Sequence, residues 1–187
     1  MLTATVAIAL AIAAAPAEGQ SAPPSGQKFT IASSQLRGYH NLQRNLLEAA
    51  EKMPDADYTF KPTPQTRPFG QLVAHVALSQ FASCAALKGE PNPKKDEKED
   101  APRSKADQVV LLKASTAYCD PLLDALTDES ITQTFKTGPN GANEAAKGLV
   151  LIGTNIHGNE MYGTMAVYLR LKGLVPPTTE RENAAKK

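Results

Sequence analysis

Along this chain, side chains that avoid water return at alternating steps of three and four residues, the spacing of a helix with one buried face. Leu36, Tyr39, Leu46, Ala50 and Met53 form the first such stripe, interrupted by Gln43. It predicts a helix that opens at Ser33 or Ser34, either of which can accept a bond from a free backbone N–H. Pro54 ends it, because the ring cannot continue a helix. A second helix is predicted from Pro68, whose fixed φ suits a first turn, to a stop at Gly89. The third, over 104–126, sets Val109, Leu112, Thr116, Cys119, Leu123 and Leu126 on one stripe, and Pro121 is expected to bend it. The fourth, over 142–172, ends at Gly173 with Pro176 and Pro177 beyond. No segment sustains an alternation of period two, so no sheet is predicted. The expected class is all-α, a four-helix bundle whose connections of a dozen or more residues permit crossovers.

The flanks read differently. Residues 1–17 carry no charge, and the apolar run from Leu2 to Ala15 ends in the small residues Ala15-Pro16-Ala17. A spanning helix needs about 20 apolar residues, so the run reads as a secretory signal peptide. The expectation is an exported protein, periplasmic or secreted, with no stable membrane insertion after the signal is removed. Residues 18–32 are rich in Gly, Ser, Pro and Gln and read as a flexible lead-in, 33–177 as the bundle, and 178–187 as a disordered tail. Between the second and third helices, PNPKKDEKEDAPR balances both signs of charge and reads as a solvated loop. In an oxidising compartment the even cysteine count predicts a disulfide between Cys84 and Cys119. The alternative is two reduced thiols acting as small apolar side chains. A net charge of +1 and the absence of Trp argue against a nucleic-acid partner. A small-molecule ligand and a homodimer are both compatible with this composition.

Candidate chemistry rests on the histidines. His75 sits in the apolar run LVAHVAL and His157 in NIHGNEMYG, each in mid-helix. Taken singly, each reads as a hydrogen-bonded core residue. Together they suggest a metal site, since bundle cores build such sites from facing helices. The residue stacked on His157 one turn later is Met161, a poor ligand for Zn²⁺ and a serviceable one for Cu(I). No phosphate loop, serine elbow or metal-spaced cysteine pair accompanies them.

Three stretches, TFKPTPQTRPFGQLVAHVALSQFASC (59–84), SKADQVVLLKASTAYCD (104–120) and NIHGNEMYGTMAVYLRLKGLVPP (155–177), resemble the DinB/YfiT superfamily in content, order and spacing. The resemblance implies an up-down-down-up bundle and a divalent-metal site, Zn or Ni, of three His. One comes from the second helix and two, at i and i+4, from the fourth. Its ligands fall on His75, His157 and Met161, where the family pattern has a third His. Two imidazoles are one short of the three protein ligands a catalytic Zn²⁺ normally takes, so weak binding is expected. Glu160 is the nearest carboxylate, turned about 100° from Met161, and His40 and Gln43 on the first helix are further candidates to line the cavity. Arg170, about 20 Å along the helix from His157, is assigned to structure together with Tyr168. Characterised members of the resembled family include metal-dependent enzymes acting on small thiols. Three readings follow: a metal-dependent transferase or hydrolase, a non-catalytic module that binds a metal or small ligand, and a structural member without metal.

Overall fold

The computed structural model describes residues 29–187, so the signal-peptide reading of 1–17 and most of the lead-in lie outside the described residues. The described chain is mostly helical: α1 (Ile31–Lys52), α2 (Phe69–Lys88), α3 (Lys105–Leu123), α4 (Gly148–Leu171) and α5 (Pro177–Ala184). Two short strands, β1 (Thr134–Thr137) and β2 (Asn143–Ala146), pair antiparallel with Phe135 opposite Ala145.

Local chemistry sets the boundaries. α1 begins ahead of the expected cap, because Thr30 and Ser33 satisfy one another: Ser33 N–H donates to Thr30 Oγ1 at 3.2 Å, and Thr30 N–H donates to Ser33 Oγ at 2.9 Å. Ser104 and Asp107 form the same reciprocal box at the head of α3. Pro121 lies inside α3, which stops at Leu123 rather than 126. Leu126 still reaches the core through a turn, its N–H donating to Leu123 O at 3.0 Å.

Two expectations need correction. The stretch 134–146 is a hairpin, and α4 starts at Gly148, six residues later than its stripe suggested. Left-handed φ angles at Gly138, Asn140 and Gly141 turn the chain back on itself, a conformation that Gly and Asn adopt with little steric cost. Strands of four residues are too short for their alternation to stand out. The tail, expected to be disordered from 178, instead forms α5 on α1. Thr178 N–H donates to Tyr162 Oη at 3.1 Å, and Arg181 bonds Glu48 and Asn45. These partners lie far away in sequence, so the tail's composition could not reveal them.

α2 is apolar nearly all round and buried on most sides, packing against α3, α4 and, through core side chains, α1. α2 and α3 meet start to start, where Gly70 approaches Gln108, and end to end, where Cys84 and Cys119 are joined by a disulfide with a Cα–Cα separation of 5.5 Å. α4 lies along α1 so closely that a Cβ at Gly158 would come within 2.5 Å of Leu42 Cδ2. Leu46, Met53, Phe69, Val73, Val76, Met165 and Leu169 belong to the main core, and Tyr39, Leu123 and Leu151 surround the disulfide.

Candidate functional site

α2 and α4 bring His75 and His157 together, their ring centroids 4.9 Å apart and the rings edge to face. Both remain partly open to solvent, with side chains 23% and 35% exposed. They line one end of a cavity of about 330 Å³, whose walls include Ser79, Gln80, Ser83, Thr154 and Gly158.

The orientation of His75 comes from a residue that sequence reasoning missed. Glu99, in the charged loop between α2 and α3, accepts from His75 Nδ1, from Gln71 Nε2 at 2.8 Å and from Arg67 Nε at 2.9 Å. Burial works to raise the Glu99 carboxyl, but the bonds from Arg67, Gln71 and His75 outweigh it and hold it below the usual carboxylate range. An ionised carboxylate only accepts. His75 therefore carries its proton on Nδ1, and in the neutral ring Nε2 keeps a lone pair for a ligand. Tyr168 steadies the arrangement from behind, its hydroxyl donating to Arg67 O at 2.8 Å.

His157 has no such carboxylate. Its Nδ1 lies 3.9 Å from Glu160, a side chain 69% exposed, and its Nε2 is buried without a hydrogen-bond partner. Burial, then the neighbouring His75, lower its pKa against the pull of Glu160, so the ring is neutral at neutral pH. Thr154, 8% exposed, adds a second unpartnered atom on the cavity wall, its Oγ1. Orphaned buried polar atoms are costly and uncommon in folded proteins, and two beside one cavity mark a place shaped for a polar guest.

The other candidates are dispersed. Met161 is buried in the main core with Leu42, Val76 and Met165, and is not among the residues lining the cavity. His40 is exposed on α1, where its Nε2 bonds Asp124 Oδ1 at 2.8 Å. Gln43 is buried, accepts from Gln80 Nε2 at 2.9 Å, and lines a different cleft, on the α1–α3 side. Arg170 donates to Thr179 Oγ1 at 3.2 Å, toward α5 and away from the histidines. Among the described residues, no group of three or more His, Cys, Asp or Glu is placed to hold a metal ion. The described residues bring two imidazoles together here and not three.

The model of the DinB superfamily matches residues 39–157. A solved DinB-like protein from Bacillus subtilis is 21% identical with a TM-score of 0.59, the match covering 75% of this chain and 92% of that one. Another, from Bacillus cereus, is 20% identical with a TM-score of 0.59 over 76% and 93%. A conserved protein from Enterococcus faecalis is 15% identical with a TM-score of 0.58 over 77% and 98%. At these identities the likeness concerns the fold alone. No curated protein matches.

Proposed function

Because the chain belongs to the DinB superfamily, we propose that it is a cell-envelope protein that holds a divalent ion weakly between His75 and His157 and admits a small molecule to the adjoining cavity. The observation that carries this reading is the buried, unpartnered Nε2 of His157 beside a histidine whose tautomer Glu99 sets. Metal-binding histidines characteristically give their second nitrogen to a carboxylate. With only two protein nitrogens, such an ion would keep positions open for water or a ligand and would supply Lewis acidity for transferase or hydrolase chemistry. The chain's own part is to orient His75 through Glu99, keep His157 neutral, and offer Thr154 to a guest.

We propose an up-down-down-up order for the four long helices. Start-to-start contact of α2 with α3 supports it, as do the pairing of early α1 with early α4 through Asn155 and Gln35 and of early α1 with late α3 through His40 and Asp124. Export is supported by the Cys84–Cys119 disulfide, since such bonds persist in oxidising compartments. N-terminal sequencing of protein from the native host should find a start near Glu18, and an intact Met1 would overturn the export reading.

A second reading, a family member without metal, draws on the burial of Met161 in the core. Calorimetric titration with Zn²⁺ and Ni²⁺ separates the two. Weak binding by the parent that is lost in both His75→Ala and His157→Ala supports the metal reading. Absence of binding by the parent supports the metal-free one. Tight parental binding would mean that another residue completes the site.

A further inference from the structure

Gln43 does not itself line the histidine cavity and is 7% exposed, yet its amide is only half satisfied. Oε1 accepts twice, from Gln80 Nε2 at 2.9 Å and from Thr116 Oγ1 at 3.0 Å, while Nε2 is buried with no partner. The same residue lines a cleft of about 240 Å³ between α1 and α3. Leu47, Leu112 and Ala117 give that cleft apolar walls, and Arg44 and Lys113 bring two cations to it. Lys113 shares its charge with Glu51 at 2.8 Å across an exposed pair, and Arg44 donates to Asn41 at 3.1 Å, so both heads lie on the solvent side. Asp120 lies two turns along α3 from Lys113, about 10 Å by helix rise, and its Oδ1 accepts from Tyr39 Oη at 2.9 Å.

We propose that this cleft binds a small monocarboxylate with an apolar body. The buried amide needs an acceptor, the cations favour an anion, and the walls suit a short hydrocarbon chain. Asp120 limits the charge, because a second carboxylate lying along the cleft would meet it. The site is separate from the histidine cavity and does not depend on a metal.

The test is a titration of the full-length chain with hexanoate, followed by amide chemical shifts and calorimetry. Hexanoate should bind with a Kd of about 1 mM, perturbing residues of α1 and α3 around Gln43 and Thr116, and hexanedioate should bind more weakly. Gln43→Leu should abolish the response. Arg44→Gln, at an exposed position that leaves the core intact, should weaken it about tenfold. His75→Ala should leave it unchanged. Absence of perturbation at the α1–α3 cleft, or hexanoate binding that survives both Gln43→Leu and Arg44→Gln, would overturn the proposal. So would shifts that map instead to His75 and His157.

Discussion

Glu99 shows how much of the site turns on one side chain. In the sequence it is one acid in a run of alternating charges; in the fold it accepts from three donors and orients His75. Glu99→Gln retains the size of the side chain but removes the charge that holds the proton on His75 Nδ1. Divalent-ion affinity measured by calorimetry should fall about 10- to 100-fold, with the helical circular-dichroism signal unchanged. Two residues further toward the N-terminus of the same loop, Glu97 makes a different point. Its bonds from Lys94 at 2.6 Å and Arg103 at 2.8 Å hold its carboxyl below the ordinary value. A carboxyl with a depressed folded pKa contributes stability above its unfolded pKa and loses it as pH falls through the folded one. Urea denaturation from pH 7 down to pH 3 should therefore show a shallower acid decline for Glu97→Gln than for the parent. Equal slopes would mean that the ion pairs contribute nothing. Periodicity could single out His75 and His157, because each interrupts an apolar helix. It could not find Glu99, whose partners come from a loop fold that the sequence pattern does not encode.

At the scale of elements, glycines set how closely helices approach. A Cβ at Gly148, the first residue of α4, would lie 2.2 Å from Ile131 Cγ1 and 2.9 Å from its carbonyl oxygen. Backbone cannot step aside as a side chain can, so Gly148→Ala should destabilise by about 1–3 kcal/mol. Gly163, in the exposed middle of the same helix, has nothing within 4 Å of the equivalent position. There the helical preference of alanine acts alone, and Gly163→Ala should stabilise by about 0.5–1 kcal/mol. Chemical denaturation of the pair tests the contrast, which fails if both changes have the same sign. The long stripes were legible as helices because three or more turns repeat the same signal. The hairpin was not, since its two four-residue strands offer too few positions, and its turn depends on left-handed backbone at Asn140 as well as at glycines.

For the molecule as a whole, the disulfide ties α2 to α3 across 35 residues of sequence. The loop-entropy model assigns such a link about 3–4 kcal/mol. The double variant Cys84→Ala/Cys119→Ala should lose that order of stability in denaturant, and a loss under about 1 kcal/mol would show that the unfolded chain is compact without the bond. The sequence by itself determined the helical class, the positions of the four long helices to within a few residues in most cases, and the family, because these rest on local periodicity, on Pro and Gly punctuation and on motif order. Only the tertiary structure decided that Glu99 orients His75, that Met161 turns into the core, that Gln43 faces another cleft, and that the C-terminal tail docks on α1. Each of those outcomes depends on contacts between residues far apart in the chain, where helix rotation and loop path set the partner and neither is written into a local pattern.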